Sequence, residues 1–105
     1  MKLTVDGDRF DKLQPWYVGV IIERIKQNLE ESGIKGDRLK ELCGNIAFSV
    51  CSEIDSSAGF EVDGIEYSSF LAFSSDEETM FYPGGNSYLH ESVFGVIGEI
   101  FEGGA

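Results

Sequence analysis

Two thiols, one imidazole and a surplus of carboxylates are the groups in this sequence that could do chemistry. Cys43 and Cys51 are the thiols, and His90 is the only histidine. Eight residues apart on one helix, the cysteines would hold their Cα atoms about 12 Å from each other. A disulfide needs roughly 4.4–6.8 Å between Cα atoms, so that spacing excludes an intramolecular bond. It also argues against zinc, which draws its thiolates to about 2.3 Å from one ion. Two thiols near an apolar helix stripe read as reduced core residues. His90 is followed by Glu91, Ser92, Val93 and Phe94, so the second histidine of a metalloprotease helix is missing. A Cys–His nucleophilic pair would have to join His90 to Cys43 or Cys51, and nothing marks either thiol as activated.

The carboxylates form several groups. Asp6-Gly7-Asp8 resembles the opening of a calcium loop, but Phe10 stands at the third ligand position and no suitably spaced Glu follows. Asp76-Glu77-Glu78 reads as a solvated turn. Gly84-Gly85 and Gly95-Val96-Ile97-Gly98 lack the following Lys of a phosphate loop. Gly85-Asn86-Ser87-Tyr88-Leu89 lacks the second Gly of a nucleophile elbow. No catalytic residue, metal site or cofactor is expected.

The elements that must position these groups follow from hydrophobic periodicity. Leu3 and Val5 alternate with polar residues ahead of Asp6-Gly7, consistent with a short edge strand. Pro15 suits a first helical position. Val18, Ile21, Ile22, Ile25 and Leu29 then recur at helical spacing, which predicts a helix over 15–32 ending at Gly33. Trp16 is expected to cover the core at its start, the alternative being an exposed interface anchor. Asp37 is the expected N-cap of a second helix reaching about Asp55, with Leu39, Leu42, Cys43, Ile46, Val50 and Ile54 as its stripe and Ala47 widening it. Ser56, Ser57, Ala58 and Gly59 should end it. The short link predicts an antiparallel helical hairpin. Phe60-Glu61-Val62, Asp63-Gly64 and Ile65-Glu66-Tyr67 then spell a β-hairpin. Its second strand should run to about Ser74, and a third strand covers 79–82. A last helix over 88–101 carries Leu89, Val93, Val96, Ile97 and Ile100, with Asn86 or Ser87 as cap and Gly103-Gly104 after it. Gly95 and Gly98 inside it are intrinsically costly, and close packing on the sheet is their expected reason. The expected fold is α+β: an N-terminal helical hairpin, a three-stranded antiparallel sheet and a C-terminal helix, in a single domain over 1–105.

Charge narrows the function. The chain of 105 residues has net charge −11 and is 42% hydrophobic, too apolar for a disordered acidic tail. All 8 Lys and Arg lie in 1–40, whereas 41–105 holds twelve acids and no Lys or Arg. Nucleic acid and anionic lipid are repelled. No stretch is apolar enough to span a membrane. Acids in MKLTVDGDRF argue against a signal peptide, so a cytoplasmic protein is expected. Such asymmetry serves solubility, or keeps a surface negative for a basic partner.

The stretch Tyr88-Leu89-His90-Glu91-Ser92-Val93-Phe94-Gly95, closing with Glu99-Ile100-Phe101-Glu102, resembles the C-terminal part of small immunity proteins of bacterial contact-dependent inhibition and other polymorphic toxin systems. Small size, acidity and the lack of catalytic motifs point to a stoichiometric binding protein with no reaction of its own, and the resemblance implies a cytoplasmic protein that neutralises one cognate toxin. A nuclease toxin is basic because it holds phosphates, and an acidic inhibitor matches that charge. The expected partner-binding residues are Asp55, Glu61, Asp63, Glu66, Asp76, Glu77 and Glu78, on one negative face bordered by Phe60, Tyr67 and Phe70 if their elements meet at one sheet edge. The alternatives are a small enzyme or enzyme subunit with a site near His90, and a nucleic-acid mimic with carboxylates spaced like phosphates. A pocket with convergent polar groups around His90 or a cysteine would favour the enzyme.

Overall fold

The hydrophobic periodicity becomes three helices packed mainly on one another. The computed structural model describes residues 1–56 and 58–102. Ser57 in the expected helix-ending run, and the expected Gly103-Gly104 stop, lie outside the described residues. The order is β1 (Lys2–Val5), α1 (Gly7–Glu31), α2 (Gly36–Ile54), β2 (Phe60–Val62), β3 (Ile65–Tyr67), β4 (Thr79–Tyr82) and α3 (Leu89–Phe101). Among the described residues no helix is long and apolar enough to cross a membrane.

The first helix starts eight residues before the expected Pro15, which lies inside it. The Asp6 side chain accepts from the Arg9 backbone N–H at 3.2 Å, supplying an N-cap. Phe10 and Gln14 are buried and extend the Val18–Ile22 seam by two turns. That packing, with the cap, outweighs the ~3 kcal/mol that an internal proline costs a helix. With its start moved upstream, Trp16 falls on the outer side and is 77% exposed rather than covering the core.

The second helix follows the expected span but buries only one edge of the expected stripe. Leu39, Cys43, Ala47 and Cys51, four residues apart, face the core, while Ile46 and Val50 are exposed. Small side chains on this seam allow α2 to approach both α1 and α3. Asp37 is in the first turn, not the cap; Lys35 is the N-cap and makes no side-chain bond. The last helix keeps its expected stripe, with Leu89, Val93, Val96 and Ile97 buried.

The sheet differs most from expectation. Instead of three antiparallel strands there are two separate pairs: β1 with β4, parallel, and β2 with β3, antiparallel. Lys2, Leu3, Thr4 and Val5 face Thr79, Met80, Phe81 and Tyr82 in register. A parallel pair needs a long crossover, and both helices and the hairpin fill it. The expected strand from Ile65 to Ser74 stops at Tyr67; farther on, only Phe73 pairs, antiparallel, with Phe81. Phe73 sets its ring, tilted, between Phe10 and Phe81, at centroid distances of 4.8 and 6.2 Å, which joins the β1–β4 ribbon to α1. Close packing on a sheet does not explain the glycines of α3. A Cβ on Gly95 would meet nothing within 4 Å, and one on Gly98 would meet only Glu102 of the same chain end.

Candidate functional site

One carboxylate, Asp55, and the single imidazole, His90, meet where α3 begins. Among the described residues the buried polar side chains are Gln14, Asp55 and Ser87, and all three act on this helix end. Asp55, the C-cap of α2, is 3% exposed. Its Oδ1 accepts from the Ser87 hydroxyl at 2.5 Å and from the Leu89 backbone N–H at 3.1 Å. Its Oδ2 accepts from the His90 backbone N–H at 2.9 Å and from His90 Nδ1 at 2.5 Å. Gln14 of α1 adds another acceptor, taking the Tyr88 backbone N–H on its Oε1 at 2.6 Å. The amides that open α3 are therefore capped by side chains from the other two helices. Neither Asn86 nor Ser87 serves as the expected cap; the N-cap residue Tyr88 makes no side-chain bond.

Burial by itself pushes the Asp55 carboxyl up. The His90 backbone N–H, the Ser87 hydroxyl, the His90 ring and the Leu89 backbone N–H together outweigh it and hold the carboxyl below its ordinary value. The positive end of the α3 dipole acts in the same direction. Asp55 is thus a buried carboxylate, not part of an exposed acidic face.

The Asp–His contact has the geometry of the orienting half of a catalytic triad, and among the described residues no hydroxyl or thiol bonds the other ring nitrogen of His90. Ser87 donates to Asp55 rather than to the free nitrogen of His90. The Phe48 ring lies edge-on to His90 at 5.8 Å. Burial raises both thiols, Cys51 to about 11, with the Asp55 charge adding to the effect there. Both cysteines are buried and free. Two open cavities lie elsewhere. One, about 800 Å³, runs between α1 and α3 beside Trp16, Val20, Gly95 and Ile100. The other, about 410 Å³, lies beside Arg9, Lys12 and Phe73. Among the described residues, no three His, Cys, Asp or Glu side chains are grouped to hold a metal ion.

The other expected partner-binding residues are all exposed, on two separate ribbons rather than one sheet edge. Glu61 and Glu66 stand directly opposite each other in the β2–β3 hairpin. Asp63, at the hairpin tip, has φ 52°, followed by Gly64 at 79°, as a two-residue turn between right-twisted strands requires. Asp76, Glu77 and Glu78 lead into β4. Asp76 Oδ1 accepts from the Thr79 and Glu78 backbone N–H groups, both at 2.9 Å. Those two amides lower the Asp76 carboxyl below its ordinary value. Asp76 is therefore also a turn-former.

Sequence reasoning missed Gln14 and misread Asp55. The usable signals were a polar Gln in line with Phe10 and Val18, and an acid four residues after Cys51 in line with the buried seam of α2. Comparison of the chain with protein-family models, curated proteins and solved structures returns no match.

Proposed function

We propose that this protein is a stoichiometric inhibitor of a basic protein, acting in the cytoplasm as an immunity protein against a cognate nuclease-type toxin. The observation that carries the reading is charge left unpaired within the molecule. Among the described residues, the ion pair formed by a Lys or Arg is Lys40 with Glu102, at 2.8 Å. Among the described residues no Lys or Arg comes within ion-pair distance of Glu61, Asp63, Glu66, Glu77 or Glu78. Exposed acids on the β2–β3 hairpin and in the turn before β4, without internal counter-charge, suit a basic surface brought by another molecule. Such matching raises association rate and partner discrimination more than it raises raw affinity.

The test is direct titration with the basic C-terminal domain of an exported protein encoded immediately upstream of this chain. The reading expects a 1:1 complex, loss of the domain's nuclease activity in that complex, and an association rate that falls as salt rises. An active, basic upstream domain that neither binds nor is inhibited would overturn it.

A further inference from the structure

The β2–β3 hairpin has two chemically opposite faces, and among the described residues no other helix or strand covers either. Cross-strand partners share a face, so Phe60, Tyr67, Val62 and Ile65 form one side and Glu61 with Glu66 the other. Neither the helices nor the β1–β4 pair packs against this hairpin. The four apolar side chains are 45–57% exposed, with the Phe60 and Tyr67 rings stacked at 5.7 Å. An isolated two-stranded ribbon is marginal in water. This one is anchored at its base. The Ser69 backbone N–H donates to Ser56 Oγ at 2.6 Å, and Ser69 Oγ donates to the Ile54 carbonyl at 3.1 Å. The anchor ties the ribbon to the end of α2 and leaves its faces and outer edges free.

The acidic face is built at a cost to the free protein. Val62–Ile65 closes the two-residue turn, so Glu61–Glu66 is the next, non-hydrogen-bonded pair, where side chains stand closer. Like charges placed directly opposite destabilise a strand pair. A cation beside them would relieve that repulsion.

We infer that the hairpin is the docking element of the proposed inhibitor: an extended segment of the basic partner, with alternating cationic and apolar residues, adds to its free edge as a third strand. The inference rests on the basic-partner reading and names the part of the surface that meets the partner. Alternation is what an added strand needs here, because successive side chains point to opposite faces. A cationic residue then stands beside the glutamate of the strand that it joins, and aliphatic ones continue the Phe60–Tyr67 face. A second copy of this chain fits poorly. Four half-exposed side chains fall short of the roughly 800 Å² per partner of a stable interface, and each copy carries net charge −11.

The experiment titrates the full-length, ¹⁵N-labelled protein with the peptide acetyl-VRVRVRV-amide, using acetyl-VEVEVEV-amide as control. Shifts confined to the amides of residues 59–68, present only with the cationic peptide and weaker at higher salt, are expected. The double variant E61Q/E66Q should weaken binding by about threefold to tenfold, as loss of exposed ion pairs does. V62T/I65T should weaken it while the glutamates remain. Both variants should keep the melting temperature of the helical core. Shifts centred on residues 74–79 with the hairpin silent would overturn the inference and leave the basic-partner reading standing. A silent spectrum would also overturn it, and the toxin-domain titration would then decide that reading alone. Concentration-dependent hairpin shifts without peptide, with a dimer in sedimentation, would replace the partner strand by a second copy.

Discussion

Replacing Asp55 with Ala removes the acceptor shared by the Ser87 hydroxyl, two backbone amides and the His90 ring. Loss of an N-cap costs about 1 kcal/mol, and each hydrogen bond to a charged group contributes about 1.5–3 kcal/mol. The terms share one carboxylate and are not additive. The His90 ring, 28% exposed, can turn to water. A net loss of about 3 kcal/mol at neutral pH is expected. With roughly 2.1 cal/mol/K of unfolding entropy per residue, that lowers the melting temperature by about 12–15 °C. Asn, which keeps one acceptor oxygen, should lose about half as much. The sign of the pH effect follows from the lowered carboxyl of Asp55. Its contribution is complete above the ordinary carboxylate value of about 3.9 and is lost as pH falls through the still lower folded value. The gap between the native protein and D55N, measured by thermal denaturation from pH 6 to pH 2.5, should therefore shrink with acid. A D55A protein melting within about 3 °C of the native one at pH 7, or a gap that does not change with pH, would refute the capping argument.

Gly95→Ala should stabilise the protein by about 0.5–1 kcal/mol, read as a higher melting temperature, because the added methyl meets nothing and helix propensity improves. Cys43 and Cys51 should resist iodoacetamide at pH 8 in the native protein and react once denatured, since both are buried and Cys51 is pushed up to about 11; rapid native alkylation would contradict their burial. Gly59→Ala should abolish the hydrogen-exchange protection of the hairpin amides with little change in core melting. Its φ is +65° and a Cβ would sit 3.0 Å from the Tyr67 carbonyl, while no helix packs on the hairpin. Reversing Asp63, Glu66 and Glu77 to Lys should slow association with a basic toxin domain at low salt and matter less at moderate salt; unchanged stopped-flow rates at both would remove these acids from the interface.

Much of the local structure was legible in the residues themselves. The Val18–Leu29 and Leu89–Ile100 stripes marked their helices because side chains three and four apart share a face. Asp63-Gly64 marked its turn because both positions need positive φ, and both have it. The site was less legible. Asp55 looked like one more surface acid because its partners, Ser87, Leu89 and His90, lie more than thirty residues away and three of its four bonds involve groups with no acidic or basic signature. The seam of α2 was misjudged for a related reason. Ile46 and Val50 are more apolar than Ala47 and Cys51, but two neighbouring helices need small residues where they close on α2.

Periodicity, turn chemistry and charge are properties of neighbours along the chain, so the amino-acid sequence by itself determined the helices, the hairpin and the uncompensated acidity of residues 41–105. Strand pairing and capping across elements are properties of neighbours in space. The pattern of Leu3 and Val5 is satisfied equally by a parallel or an antiparallel partner, and only the path of α1 and α2 between them brought β4 alongside β1 in parallel. Likewise only the packing of α3 against α1 and α2 placed its open amides over Gln14 and Asp55, because a buried helix end takes whatever acceptor the tertiary structure carries to it.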